Sequence, residues 1–248
     1  MPACYGIQLP SCCLFIVQIR AITLDLDDTL WPIWPAIVRA EQALHDWLAQ
    51  HAPRTAQRYP VSAMRTLRDA IAREQPAIAH DYTEQRRLTL AHALIDCGDD
   101  VALVEPAYEV FITHRNIVDL YPNTADALAR LAARFPVAAL TNGNADLARI
   151  GIDRHFVFQL GAREHGRAKP HASIFHAACE RLGLTPGEVL HVGDDPEMDV
   201  LGAQRAGLRC AWINRNAVNW QAEHEDPDYI VRDLHELAQR LDCGIASH

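Results

Sequence analysis

A short apolar run near the start of the chain ends in three carboxylates within four residues. The run Ala21-Ile-Thr-Leu24 has the length and composition of a buried strand in a parallel sheet, and Asp25, Asp27 and Asp28 follow it. Strand periodicity directs Asp25 and Asp27 the same way, where two anions repel unless a cation lies between them. Oxygen ligands of this kind select magnesium. The alternative is an acidic turn in which Asp28 or Thr29 caps the next helix.

The composition restricts the classes of function. The 248 residues are 49% hydrophobic and 22% charged, the proportions of a globular chain rather than a disordered one. A net charge of -9 leaves no broad cationic surface for nucleic acid, so we expect a small-molecule substrate held by a metal or a few basic residues. The apolar segment 12–17 is far too short to span a bilayer, so we expect no membrane partner and interpret it as an N-terminal extension or the lead-in to the first strand.

The cysteines indicate a reducing environment. Their number is odd and no C-x-x-C pair occurs, so neither a disulfide framework nor a zinc knuckle fits the spacing. We expect reduced thiols in a cytoplasmic protein, which is a monomer or a homodimer. The seven cysteines are Cys4, Cys12, Cys13, Cys97, Cys179, Cys210 and Cys243.

A helical segment follows the acidic strand end. Residues 36–119 carry Ala, Leu, Arg and Glu at helical spacing with no β-rich run, which predicts about four helices in a small bundle. Residues 30–35 precede it with two prolines and two tryptophans, a pattern that predicts a loop over a pocket. The helix breaks are expected near Pro53, Pro60, Pro76 and Gly98.

From residue 121 onward strands and helices alternate. Alternation of this kind predicts right-handed βαβ units and a parallel sheet with helices on both faces. The sequence therefore predicts an α/β fold, with a Rossmann-like parallel sheet core formed by residues 1–33 and 121–248 and an inserted α-helical bundle domain of residues 34–120. The strands are expected at 137–141, 156–160, 189–192 and 209–213, and the helices at 123–135, 145–150, 171–182 and 197–206.

Polar residues follow the predicted strands where ligands bind in an open parallel sheet, at the carboxyl ends. Acids that hold magnesium, with a lysine and a threonine for the phosphate oxygens, form a set suited to phosphoryl transfer. Taken singly, Thr141 fits a helix cap as well as it fits a ligand, and a lone lysine such as Lys169 is more often a solvated surface charge. Four such features that follow one another at strand ends favour a functional site over a set of unrelated structural residues. The set comprises Asp25, Asp27, Thr141, Asn142, Gly143, Lys169, Gly193, Asp194, Asp195 and Asp199.

In these motifs the chain resembles the haloacid dehalogenase superfamily. The resemblance implies that Asp25 is a nucleophile that forms an aspartyl phosphate, and that Asp27 protonates the leaving alcohol and then deprotonates the attacking water. It implies Mg²⁺ held by a side-chain oxygen of Asp25, the backbone carbonyl at Asp27, and Asp194. It further implies that Asp195 or Asp199 acts through a water or orients the lysine. The helical insertion has the position of the superfamily's first type of cap, which closes over small substrates.

The acid at position 27 indicates the reaction class, because the dehalogenases that the chain resembles have no acid there. A phosphatase or phosphomutase is indicated. Segments 140–144, 165–170, 190–195 and 80–87 resemble bacterial FMN phosphatases, which act on flavin mononucleotide and 5-amino-6-(5-phospho-D-ribitylamino)uracil. Another sugar-phosphate phosphatase is an alternative. A phospho-accepting receiver module is a further one, but the Asp25-x-Asp27 pair, the cap and the chain length argue against it.

Two groups of residues are candidates for substrate binding. Thr141, Asn142 and Lys169 are expected to bind the phosphate, and Trp34, Asp81 and Arg86 the leaving group. The segment 80–83 with Arg86 and Arg87 is polar, and its alternative interpretation is a solvated helix start with an Asp or Thr cap. Trp31 and Trp34 are core or pocket wall. His80, His165 and His191 are the histidines near the expected cleft, and none has metal-ligand spacing.

Overall fold

A parallel sheet of six strands lies at the centre of the computed structural model, which describes residues 18–220 and 225–243. The strands are β1 (Ala21–Leu24), β2 (Val137–Thr141), β3 (Phe158–Gly161), β4 (Val189–Gly193), β5 (Arg209–Ile213) and β6 (Tyr229–Val231). Their order is β3-β2-β1-β4-β5-β6. All four residues of β1 are buried, and the strand pairs with β2 on one side and β4 on the other. The predicted α/β fold with a parallel sheet is confirmed.

Between β1 and β2 the chain forms a helical block that shares one hydrophobic cluster, drawn from residues 40–112. The four expected breaks are present and separate five helices, one more than the approximate number predicted. Pro53 begins a short helix at its first position, where a missing N–H is tolerated. The five helices are α1 (Ile33–His51), α2 (Pro53–Arg58), α3 (Val61–Glu74), α4 (Tyr82–Cys97) and α5 (Val104–Arg115).

The stretch 30–35 is not wholly a loop as predicted, because α1 begins at Ile33. Pro35 lies in the first turn of this helix, where the backbone N–H groups have no intrahelical acceptor. The two tryptophans therefore differ. Trp31 is completely buried, whereas Trp34 is 59% exposed on the first turn of α1.

Helices cover both faces of the sheet. The side chains of β2 alternate, with Ala139 in one hydrophobic cluster and Leu140 in the other. The helices after the block are α6 (Thr124–Ala132), α7 (Leu147–Ile150), α8 (Ala162–His165), α9 (Ala172–Leu182), α10 (Gly202–Arg205) and α11 (Leu234–Asp242), and a π-helix (Pro196–Leu201) leads directly into α10. β6 and α11 were not predicted.

Several expectations concern the termini, the thiols and membranes. The segment 12–17 and Cys4, Cys12 and Cys13 lie outside the described residues. The other four cysteines are free thiols, as expected. Within the part of the chain that the structure describes, no helix combines the length and apolar character needed to cross a membrane.

Candidate active site

Asp25 lies at the carboxyl end of the central strand. Its backbone N–H donates to the carbonyl of Val192 in β4 at 2.9 Å, which extends the sheet ladder by one residue. The residue is 7% exposed. Its Oδ1 lies 2.6 Å from Nζ of Lys169, and its Oδ2 accepts a 3.1 Å hydrogen bond from Oγ1 of Thr29. One carboxylate oxygen therefore faces a cation and the other faces a hydroxyl.

Lys169 is a buried ammonium group between two carboxylates. Its Nζ lies 2.6 Å from Oδ1 of both Asp25 and Asp199. Burial lowers the pKa of Lys169, but the charges of Asp199 and Asp25 raise it by more, so the net pKa lies above the usual value. Asn142 holds the lysine backbone, since its Oδ1 accepts from the Lys169 N–H at 2.8 Å and its Nδ2 donates to the Lys169 carbonyl at 3.0 Å. The side chain of Asn142, predicted to bind substrate, thus positions Lys169 through these two hydrogen bonds.

The geometry distinguishes the two acids that were expected to support the lysine. Asp199 is 2% exposed and pairs with Lys169, and its Oδ1 lies 3.1 Å from Nε2 of His191. Burial raises the pKa of Asp199, but Lys169 and the His191 hydrogen bond lower it by more, so the net pKa is below the usual value. Asp195 instead accepts two backbone N–H groups in the first turn of Pro196–Leu201. Asp199 therefore orients the lysine, and the side chain of Asp195 caps a helix.

A third acid completes a cluster beside Asp25. Oγ1 of Thr29 lies 2.8 Å from Oδ1 of Asp194, and oxygens of Asp25, Asp194 and Asp199 lie within 4.8 Å of one another. Burial raises the pKa of Asp194 to about 7, and the charge of Asp199 adds to the effect. Burial also raises the pKa of Asp25 well above the usual value, although Lys169 opposes it. The single ammonium group of Lys169 therefore does not balance the three carboxylates of the cluster. Both oxygens of Asp199 are engaged, Oδ1 by Lys169 and His191 and Oδ2 by the backbone N–H of Asp195. Asp25 and Asp194 are therefore the side chains that fit a divalent cation with oxygen ligands.

Asp27 has different partners from Asp25. Its Oδ1 accepts a 2.9 Å hydrogen bond from Nε1 of Trp31, and its two oxygens lie 2.7 and 2.5 Å from Nη2 of Arg115. Gly143 permits this position, since a Cβ added there would lie 2.3 Å from Oδ2 of Asp27. The sequence interpretation placed one cation between the two acids. The structure gives each acid a cation of its own, a lysine for Asp25 and Arg115 for Asp27.

Thr141 ends β2 at the same edge of the sheet and is completely buried. Its Oγ1 accepts a 2.9 Å hydrogen bond from the backbone N–H of Gly143. Among the described residues this hydroxyl accepts but does not donate, so its proton is available for an acceptor on a substrate.

A cavity of about 350 Å³ lies between the helical block and this edge of the sheet. The guanidinium of Arg86 lies 3.6 Å from the ring centroid of Phe111 and 3.6 Å from the carboxylate of Glu41. Burial lowers the pKa of Arg86 to about 10. The lining includes Asp27, Gly143 and Asn144 on the sheet side, and Trp34, Arg86, Phe111 and Arg115 on the helical side.

Asp81 does not line this cavity. Its carboxylate accepts the backbone N–H of Glu84 at 2.9 Å as the N-cap of α4, and it lies 3.2 Å from Nε of Arg163. The capping interpretation of the sequence is therefore the one that the structure supports for Asp81. Trp34 and Arg86, predicted with it, do line the cavity.

Three residues of the site had no assigned role in the sequence analysis. Thr29, which contacts both Asp25 and Asp194, had a signal because it belongs to the acidic motif. Arg115 had none, since it is one arginine among many on the helices and its partner lies 88 positions away. Asn144, whose Oδ1 accepts from Nε of Arg115 at 3.0 Å, could not be found without Arg115.

Comparison with known proteins agrees with the strand-end motifs. A model of the haloacid dehalogenase-like hydrolase family matches residues 19–207. The chain belongs to this family. The predicted superfamily and the prediction of a hydrolase are confirmed.

Similar proteins of this hydrolase family carry several names. The chain is 36% identical to the 5-amino-6-(5-phospho-D-ribitylamino)uracil phosphatase YigB of Escherichia coli over 200 aligned residues. These residues cover 79% of this chain and 84% of that protein. It is 34% identical to the phosphoserine phosphatase of Thermus thermophilus, over 61% of this chain and 63% of that protein. A solved structure named 2-haloacid dehalogenase, from Pseudomonas syringae, is 38% identical with a TM-score of 0.85, and covers 92% of this chain and 100% of that one.

Proposed function

We propose that this hydrolase is a magnesium-dependent phosphatase, which cleaves small phosphomonoesters through an aspartyl phosphate on Asp25. The observation that carries the proposal is the different surroundings of the two acids after β1. Asp25 lies beside Lys169 and the acidic cluster, whereas Asp27 lies beside Arg115 and lines the cavity. Such a division suits a nucleophile and a separate acid–base group.

The proposed reaction has two displacements at phosphorus. An oxygen of Asp25 attacks, the bond to the alcohol breaks, and Asp27 gives its proton to the departing oxygen. Water then attacks the aspartyl phosphate, Asp27 takes a proton from the water, and the bond from phosphorus to Asp25 breaks to release phosphate. Lys169 uses two of its three N–H groups for carboxylates, so the third can bind a phosphoryl oxygen, as can the hydroxyl of Thr141.

The metal is proposed to lie in the acidic cluster. Asp25 and Asp194 would hold it, with the backbone carbonyl at Asp27 as a third ligand by resemblance to the family. When bound, magnesium supplies positive charge that offsets the negative charge of the phosphoryl oxygens.

Dehalogenation is the second candidate, because similar solved structures are named dehalogenases. Both reactions begin with attack by an aspartate. A departing halide needs no proton, whereas a departing alkoxide does, and Asp27 lines the cavity where the leaving group would lie. The position of Asp27 therefore favours the phosphatase.

We expect the purified protein with magnesium to release phosphate from p-nitrophenyl phosphate and to release no chloride from 2-chloropropionate. Chelation should lower phosphate release at least about a hundredfold, because a metal ion supplies several kcal/mol of charge stabilisation. Magnesium should restore the rate and calcium should not, since its looser coordination disturbs the in-line geometry. Chloride release without phosphate release would contradict the phosphatase, and full activity in chelator would contradict the metal.

For the substrate we propose FMN or 5-amino-6-(5-phospho-D-ribitylamino)uracil, with residues 34–120 acting as the cap over the leaving group. The phosphate-binding core treats phosphomonoesters alike, so selectivity must come from the cavity wall. Trp34 offers an exposed ring for stacking, and Arg86 offers guanidinium donors. The similarity to YigB supports this choice of substrates.

Trp34→Ala and Arg86→Ala are expected to raise KM several-fold for the best metabolite and to leave turnover of p-nitrophenyl phosphate almost unchanged. The reason is that both side chains line the leaving-group side of the cavity and neither reaches Asp25. Arg58→Ala is the matched control, because Arg58 also pairs with a carboxylate and lies over an aromatic ring, but outside the cavity lining. Steady-state kinetics on both esters measures the effect. Equal changes in the kinetic constants for both esters would mean that these two side chains do not determine selectivity.

A further inference from the structure

Arg115 connects the helical block to the acid–base group of the site. It lies in the last turn of α5 and is 1% exposed. Its Nη2 lies 2.7 and 2.5 Å from the two oxygens of Asp27, and its Nε donates to Oδ1 of Asn144 at 3.0 Å. A planar guanidinium held at two of its nitrogens has a fixed orientation, and it therefore fixes the carboxylate that it contacts.

The other contacts of Asp27 do not fix its carboxylate. Trp31 donates to Oδ1 alone, and among the described residues Oδ2 accepts a hydrogen bond from Arg115 alone. Gly143 leaves space beside Oδ2 without holding it. Without Arg115 the carboxylate could rotate about the Trp31 hydrogen bond, and the oxygen that must reach the leaving group would lose its position.

The hydrogen bonding of Arg115 also differs from that of a purely structural ion pair. Its Nη1 is buried and has no hydrogen-bond partner among the described residues. An unsatisfied buried donor is destabilising and uncommon in a folded protein, so it needs an explanation, and a ligand that accepts from it is one. Arg115 lines the cavity together with Asp27.

We propose that Arg115 is a positioning residue for Asp27, so that the helical block contributes to proton transfer as well as covering the substrate. The proposal rests on the phosphatase function stated above. Asp27 transfers its proton to the departing oxygen as the bond from phosphorus to that oxygen breaks, and a misplaced carboxylate slows this transfer. The loss must therefore depend on the leaving group, because an alkoxide needs the proton and a p-nitrophenolate does not.

The experiment compares kcat/KM for p-nitrophenyl phosphate with kcat/KM for the alkyl phosphomonoester that the wild-type enzyme cleaves fastest. Arg115→Ala is expected to lower the alkyl value about a hundredfold or more and the p-nitrophenyl value less than about tenfold, since general acid catalysis contributes that much. Arg115→Lys should recover part of the alkyl value. Lysine retains the positive charge but cannot contact Asp27 and Asn144 through two nitrogens of one planar group. If Arg115→Ala does not fold, Arg115→Lys and Asn144→Ala are tested for the same leaving-group dependence.

Arg149→Ala is the matched control. Arg149 forms a 2.7 Å ion pair with Glu109, which also joins α5 to the sheet side of the molecule but does not touch Asp27. The ratio of the two kcat/KM values should not change in this variant. Equal losses on both esters in the Arg115 variants, or no loss on the alkyl ester, would overturn the positioning role. A wild-type enzyme that cleaves neither ester would instead refute the phosphatase.

Discussion

Asp25→Asn is expected to lower the rate of phosphate release by at least about a thousandfold, because the amide lacks the anionic oxygen that attacks phosphorus. The fold should survive the change. Burial raises the pKa of Asp25, so an uncharged side chain of the same shape relieves a desolvation cost. Lys169 also keeps its 2.6 Å contact with Asp199. Steady-state phosphate release and thermal unfolding measure the two effects.

The control for this prediction is Asp233→Asn. Asp233 is the N-cap of α11, where its side chain accepts from the backbone N–H of Glu236, and asparagine caps helices as well as aspartate does. We expect a wild-type rate for this variant. Retention of more than about a hundredth of the wild-type rate by Asp25→Asn would be inconsistent with an aspartyl phosphate on this residue.

Lys169→Met is expected to abolish turnover and to lower the free energy of unfolding by about 3–5 kcal/mol. Methionine has a similar length, but it leaves Asp25 and Asp199 buried without their shared cation. The variant also lacks the N–H group proposed to bind a phosphoryl oxygen. Urea unfolding measures the stability, and phosphate release measures the activity.

A second substitution separates the two effects of Lys169→Met. Adding Asp199→Asn removes one of the two unpaired buried charges, and the new side chain can still bond His191. The double variant should therefore regain part of the lost unfolding free energy while remaining inactive, as neighbouring residues couple in a mutant cycle. A single variant as stable as the wild type would show that Lys169 does not compensate these acids.

The accuracy of the strand predictions followed the strength of the local pattern. β2 and β5 have the predicted bounds, because each is a five-residue run with clear flanking breaks. β6 has only three residues, one of them exposed, which is too short for a periodic signal. α11 carried a usable signal, an aspartate N-cap followed by apolar residues at helical spacing, but it was not predicted.

The sequence by itself determined that the polar residues after the strands lie at one edge of the sheet. Asp25, Thr141 and Asp194 each follow an apolar run that forms a parallel strand, and backbone pairing brings all such strand ends to one edge. Only the tertiary structure decided the pairing of Arg115 with Asp27 and the helix-capping position of Asp81. The reach of a guanidinium on a helix depends on how that helix packs, and packing is set by many contacts distant in sequence. Strand ends are encoded locally, whereas the partners of charged side chains are not.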